Sequence, residues 1–378
     1  MTDDGTRALT GDRSQAVPSV CAKARAAARS RLGQLVKPPG SLGRLEQFIV
    51  DLAGLQATPR VTVHPASYIL FAADHGVTAQ GVSPYPQSIT AKMVEQIAAG
   101  RAASSVLAAQ HGMRLEVVDV GVVADCAFPG VVVDKSNRGT NDFSKTTAMS
   151  GSGLDHALAA GARAVDRAVD QTVSAGSRLI VLGEMGIGNT TAASALLAAL
   201  RPDLAATDTV GPGTGHDAAG IARKADVIAA AMTKHGLRGQ TDSISLRQML
   251  TCVGGFEIAA LSGAMQRAAA CRCPVLVDGF IATVAAALAI KQTPDAAPYL
   301  IATHKSAEPG HRFALELLET EPLLDLQMRL GEGTGAAIAY GLLKDAVALY
   351  NTMATFAEAG IGGGESDTTN EGRGSSGA

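Results

Sequence analysis

Hydrophobic residues follow two different patterns along this chain, and the change between them divides it. Between 17 and 35 an alanine-rich pattern recurs at helical spacing, stops at Lys37-Pro38-Pro39, and resumes to about 55. The two prolines end the first helix, and Ser41 is placed to cap the second. No strand pattern intervenes, so residues 17–66 predict a small helical subdomain. From Ser67 onward, short and wholly apolar runs alternate with helical ones. Strands are predicted at 68–72, 115–120, 179–182, 275–277 and 299–302. Helices are predicted at 90–110, 153–174, 191–200, 218–234, 255–269 and 281–290. Short strands without polar alternation are buried on both faces, as in a parallel sheet covered by helices. The predicted fold class is therefore α/β, a mostly parallel sheet flanked by helices.

Four of the five predicted strands are followed closely by unusual polar residues. Asp74 and His75 follow the first, Glu184 the third, Asp278 the fourth and Ser306 the fifth. Glu332 precedes the last helical pattern in a similar setting. In open parallel sheets ligands bind outside the carboxyl ends of the strands, so the fold would gather these residues at one rim.

Composition narrows the class. Of 378 residues, 47% are hydrophobic and 18% charged, enough for a sizeable core, and only 3% are aromatic, with no Trp. Packing must then rest on small residues, Ala and Gly, in closely approaching helices. The net charge is −3, from 32 basic and 35 acidic residues with no basic block, which argues against a nucleic-acid partner. Five cysteines, Cys21, Cys126, Cys252, Cys271 and Cys273, form no pairing framework and suit a reducing, cytoplasmic setting. No run of ~18 apolar residues is present, so no membrane span is expected. The polar first residues hold no apolar signal-peptide core, and Gly, Ser, Thr and acidic residues fill the end of the chain. Residues 1–16 and 360–378 are expected to be disordered tails.

The candidate chemistry lies in glycine-rich segments. Leu330-Gly331-Glu332-Gly333-Thr334-Gly335 and Gly183-Glu184-Met185-Gly186-Ile187-Gly188-Asn189-Thr190-Thr191 each read as a tight turn opening a helix. A helix N-terminus favours anions, so a carboxylate there suits a proton or a cation; the plain alternative is a solvated Glu in a turn. The segment from Gly183 lacks the Gly-Lys-Ser/Thr ending of a Walker loop and fits the dinucleotide fingerprint poorly. Gly211-Pro212-Gly213-Thr214-Gly215-His216-Asp217 is a second turn whose amides suit phosphate. Read from the residues alone, Lys224 is a solvated surface lysine. His304 and His311 stand seven apart without a third ligand, so no metal is expected, and no cofactor. Asp74-His75 with Ser83-Pro84-Tyr85-Pro86-Gln87 can wall a pocket for a planar ligand or form an ordinary loop. No nucleophile elbow is present. The residues alone leave open a glycine-rich-loop phosphotransferase or NTPase, and a non-catalytic nucleotide-binding scaffold.

Taken in order, Lys37-Pro-Pro-Gly-Ser-Leu-Gly-Arg-Leu-Glu46, Ala73-Asp-His-Gly-Val77, the segment from Gly183 to Thr191, Val277-Asp-Gly-Phe280, His304-Lys-Ser-Ala-Glu-Pro-Gly-His311 and Leu330-Gly-Glu-Gly-Thr-Gly335 are more specific than any one of them. The chain resembles the nicotinate-nucleotide:dimethylbenzimidazole phosphoribosyltransferase family over about 17–359. The resemblance implies a Rossmann-like domain at 67–359 and a small helical domain at 17–66, to which the C-terminal helix is a candidate addition. It implies a homodimer in which the small domain helps to close the partner's site. The implied donor is nicotinate mononucleotide and the acceptor 5,6-dimethylbenzimidazole, in cobalamin nucleotide-loop assembly. It implies Glu332 as general base and Glu184 as a supporting carboxylate. Phosphate and ribose contacts carry over to Gly186, Gly188, Lys224, Asp278 and Ser306, and Gln87 falls near the acceptor base.

Overall fold

The strands β1 (Ser67–Ala73), β2 (Arg114–Gly121), β3 (Val131–Val133), β4 (Ile180–Met185), β5 (Val275–Val277) and β6 (Leu300–Ala302) lie side by side. Their order is β3-β2-β1-β4-β5-β6, and every neighbouring pair is parallel. The structure is a computed structural model that describes residues 16–173, 179–238 and 244–361. The chain builds outward from β1 to β3, then returns to lay β4 on the other side of β1. That reversal is the topological switch point of a doubly wound sheet, beside which ligands bind at the carboxyl ends.

The helices are α1 (Ala22–Gln34), α2 (Arg44–Gln56), α3 (Ile89–Ala98), α4 (Ala103–His111), α5 (Gly151–Val173), α6 (Asn189–Leu200), α7 (Ala206–Thr209), α8 (Ala218–Lys234), α9 (Leu246–Val253), α10 (Phe256–Ala270), α11 (Phe280–Gln292), α12 (His311–Leu317) and α13 (Thr334–Thr352). All seven residues of β1 are buried. Alternate side chains point to opposite faces. Ile69, Phe71 and Ala73 join a core with residues of α5, α6, α10 and α11. Tyr68 joins one with α1, α2 and α13, and Leu70 and Ala72 pack with α3 and its neighbours. Small residues do set the closest helix approach. A Cβ on Gly161 of α5 would lie 1.9 Å from the Ala260 carbonyl oxygen, and one on Gly263 of α10 would lie 2.2 Å from that of Leu158.

Four details differ from the sequence reading. The helix predicted over 90–110 is two, because Gly100 takes φ +76° and ends α3, and α4 starts afresh at Ala103. Strand β3 was not predicted; three valines at a sheet edge, none fully buried, give too short a pattern. Gly183 and Glu184, predicted as a turn, still belong to β4. Ser41 does not cap α2. Glu46 does the corresponding work, accepting the Leu42 N–H at 3.1 Å and Lys37 Nζ at 2.7 Å. Apart from Ala16, Gly360 and Ile361, the tails expected at 1–16 and 360–378 lie outside the described residues, as does Ser174. Among the described residues no helix is long and apolar enough to cross a membrane.

Candidate functional site

A cavity of about 850 Å³ opens at the carboxyl ends of β4, β5 and β6. Five sequence-identified residues line it: Glu184, Gly186, Asp278, Ser306 and Glu332. Three stand outside the lining. Gly188 is the N-cap of α6, with φ +95°, packed near Thr78 and His75. Gln87 donates its amide to the His75 carbonyl at 3.2 Å. Lys224 lies behind the turns of the cavity wall. Apolar side chains, among them Ile89, Met93, Leu107, Met185 and Phe280, make most of the remaining wall.

Glu332 is carried by a strained turn. Gly331, Glu332 and Gly333 have φ of +85°, +60° and +80°, three left-handed residues in succession. For a non-glycine residue this costs about 1–3 kcal/mol and persists only where the surroundings impose it. Here they do. The Tyr68 hydroxyl donates to the Glu332 carbonyl, and the Gly333 N–H donates to Asp278 Oδ2 at 3.2 Å. Asp278 Oδ1 accepts the Ala336 N–H at 2.9 Å, in the first turn of α13. The Glu332 carboxylate, in a residue 5% exposed, accepts the Ser104 hydroxyl at 2.9 Å and the Ser104 N–H at 3.4 Å, both on Oε2.

Glu184 is buried to the same degree but held differently. Asn189 Nδ2 donates to its Oε2. Burial, followed by the negative charges of Asp278, Glu257 and Glu332, pushes its pKa well above the carboxylate range. The two carboxylate segments touch through backbone. A Cβ on Gly183 would lie 2.4 Å from the Glu332 carbonyl oxygen, so only glycine fits there.

Glycine-rich turns and buried charged groups form the adjoining wall. The first turn of α6, with Asn189 and Thr190, faces the turn of Gly213 and Thr214. Lys224 is fully buried, against the surface position read from the residues alone. It donates from behind to Thr190 Oγ1 at 3.1 Å and to the Gly211 carbonyl at 3.0 Å. Burial lowers its pKa, and Glu308 offsets part of that. Glu308 accepts the Gly213 N–H at 2.8 Å, and Arg329 donates to the Gly213 carbonyl at 3.0 Å. His311 is held neutral, its pKa lowered by burial to about 3. Its Nδ1 accepts the Ser306 N–H at 2.8 Å, which leaves the proton on Nε2 to face Thr283 Oγ1 at 2.9 Å. Ser306 is thereby fixed at the cavity wall.

One cavity thus combines buried carboxylates, glycine-rich turns and apolar walls. A family model described as phosphoribosyltransferase matches residues 17–361. The chain belongs to this phosphoribosyltransferase family. It is 50% identical over 339 residues to a curated relative from a Bradyrhizobium species, covering 90% of this chain and 94% of that one. A relative from Pseudomonas putida strain KT2440 is 48% identical over 335 residues, covering 88% and 93%. Both relatives are named nicotinate-nucleotide–dimethylbenzimidazole phosphoribosyltransferase. The crystal structure of CobT from Thermus thermophilus superposes with a TM-score of 0.83 at 40% identity, covering 90% of this chain and all of that one.

Several residues of this phosphoribosyltransferase site were missed in the sequence. Tyr68 sits inside a run that reads as pure core. Ser104 lies in an Ala/Ser helix with no motif around it. Asn189 stood in the same motif as its partner Glu184, five residues away; Thr190 and Glu308 stood within motifs, but their partners, 34 and 95 residues away, give no local signal.

Proposed function

We propose that this phosphoribosyltransferase transfers the 5-phosphoribosyl group of nicotinate mononucleotide to 5,6-dimethylbenzimidazole. The products are α-ribazole 5′-phosphate and nicotinate, as cobalamin nucleotide-loop assembly requires. The carrying observation is that one cavity gathers buried Glu184 and Glu332 with the Gly213 turn and the first turn of α6, and that Lys224 is buried behind those turns. The relatives' names agree with that reading.

In the proposed reaction the donor phosphate lies near Gly186 and Ser306, with Gly188 opening α6 and Lys224 supporting the turns from behind. The acceptor lies along the apolar wall, with Gln87 holding the loop after His75 and Asp278 bracing the Glu332 turn. The acceptor nitrogen attacks C1′ as the C1′–N bond to the pyridinium breaks, and the ring leaves as neutral pyridine carrying its own carboxylate. The acceptor's ring N–H loses its proton to Glu332, a general-base role worth about 10²–10⁴ in rate. Attack opposite the leaving group inverts C1′ and gives the α-nucleotide. Glu184, whose pKa burial and neighbouring carboxylates raise, supports the site, and Glu332 takes the proton.

The proposed division is a helical part at 17–66, joined by α13, and an α/β part at 67–359; α1, α2 and α13 share one core with Tyr68, Val181 and Leu276 of the sheet. A homodimer in the cytoplasm completes the proposal. Tyr85 and Leu330, 51% and 61% exposed at the cavity, are apolar surfaces that a second copy would cover. A phosphotransferase or a passive scaffold finds no support among the relatives. The test is to incubate the protein with nicotinate mononucleotide and dimethylbenzimidazole and follow products by mass spectrometry. Nicotinate and α-ribazole phosphate are expected in equal amounts; folded protein that yields neither would overturn the reading.

A further inference from the structure

The break at Gly100 has a chemical consequence. A single helix over 90–110 would bury the Ser104 N–H in an internal helical bond. Because α4 instead begins at Ala103, Ser104 stands in its first turn, where N–H groups lack an intrahelical partner. Two consecutive serines there divide the work. Ser105 folds back on its own helix, its hydroxyl accepting the Ala102 N–H at 3.1 Å and donating to the Ala102 carbonyl at 2.9 Å. Ser104, with no exposure at all, turns outward and gives both its hydroxyl and its N–H to Glu332 Oε2, 228 residues away in the chain.

Glu332 is thus fixed at two levels. Tyr68 and Asp278 hold its backbone turn, and Ser104 holds its carboxylate. Among the described residues Oε1 accepts no hydrogen bond, and Glu332 lines the cavity. The geometry leads us to propose that Ser104 is a positioning residue for phosphoribosyl transfer, engaging one carboxylate oxygen of Glu332 so that the other is presented to the acceptor's N–H. Two donors and the positive end of a helix favour the charged form of a carboxylate. They do so against the groups that surround the turn: Glu184 from β4, Asp278 after β5, His304 after β6 and the Tyr68 hydroxyl from β1. This inference rests on Glu332 being the base.

The experiment is a double-mutant cycle of Ser104→Ala and Glu332→Gln, with Ser105→Ala as control, read as kcat, donor KM and the pH profile of kcat. Ser104→Ala is expected to lower kcat roughly 10- to 100-fold, the range for a hydrogen bond to a charged group, with donor KM nearly unchanged. The acidic limb of its kcat profile is expected to move to higher pH. In the Glu332→Gln background Ser104→Ala should have almost no further effect on kcat, since Ser104 acts only through Glu332. Ser105→Ala should lower the melting temperature and leave the kcat profile in place. If Ser104→Ala does not fold, Ser104→Cys, close in size and a weak donor, serves the same comparison. Unchanged kcat and pH profile in the Ser104 variant, or effects that multiply independently in the double variant, would overturn the proposal. Near-normal kcat in Glu332→Gln alone would instead overturn the base assignment, whatever Ser104 does.

Discussion

Glu184 and Glu332 share one cavity wall, yet the chain holds them by opposite means. Glu184 ends a regular strand, faces one amide donor from Asn189, and is surrounded by like charge. Glu332 sits at the centre of a left-handed turn, braced by Tyr68 and Asp278, with two Ser104 donors on its carboxylate. Two carboxyl groups so close do not both ionise cheaply. The surroundings set them apart: burial and like charge raise the pKa of Glu184, whereas Ser104 donates twice to the Glu332 carboxylate. A Gly-Glu pair in sequence therefore carries no role of its own; the donors and charges brought to it by distant segments do.

Removing the carboxylate of the second turn gives the largest expected effect. Glu332→Gln keeps the size and one carbonyl acceptor for Ser104, so fold and donor binding should persist. The general base is lost, and kcat should fall by about 10²–10⁴. The measurement is steady-state kcat beside a binding titration with nicotinate mononucleotide. The same loss in Glu184→Gln would erase the distinction drawn between the two.

Pushing the turns apart should cost less chemistry and more stability. On Gly183 a Cβ would meet only backbone: the Glu332 carbonyl oxygen at 2.4 Å, its carbon at 2.7 Å and the Gly333 nitrogen at 3.0 Å. None is the end of a flexible side chain, so Gly183→Ala must shift the turn. Overpacking of this kind costs about 1–3 kcal/mol, and displacing a reactive group by about 1 Å can lower the rate about 10²-fold. Thermal unfolding together with kcat tests this; a variant unchanged in both would show that the two segments do not press on each other.

Periodicity made the frame of this molecule readable, because strands buried on both faces leave unbroken apolar runs such as Tyr68-Ile69-Leu70-Phe71-Ala72. The strand-end rule then places Glu184, Asp278 and Ser306 at one rim from the sequence alone. What stayed hidden has a common cause. Tyr68 is a core residue by its pattern and a brace by its hydroxyl. Lys224 reads as surface because its partners, Thr190 and Gly211, lie in other motifs. Ser104 owes its place to Gly100, which breaks the predicted helix, and to a turn far along the chain. Local pattern reports which face is buried; it does not report which buried polar atom meets which.

The smallest effect is a stability change that depends on pH, and it isolates Glu184. Burial, with Asp278, Glu257 and Glu332 nearby, raises its folded pKa well above 4.5. In the unfolded chain the group titrates near the ordinary carboxyl value. Between those two values the folded state binds more protons than the unfolded one, so raising the pH through that window lowers stability. Below the window Glu184 is protonated in both states and the penalty vanishes; above it the penalty is constant. Glu184→Gln removes the titration while keeping an oxygen for Asn189. The variant should therefore gain on the wild type as pH rises from near the ordinary carboxyl value to well above it, by roughly 1–2 °C in Tm for each kcal/mol in a chain of this length. Melting curves of both proteins at the two pH values test it. A constant difference between them would mean that Glu184 is ionised in the folded protein as readily as in the unfolded chain, and the contrast with Glu332 would then rest on geometry alone.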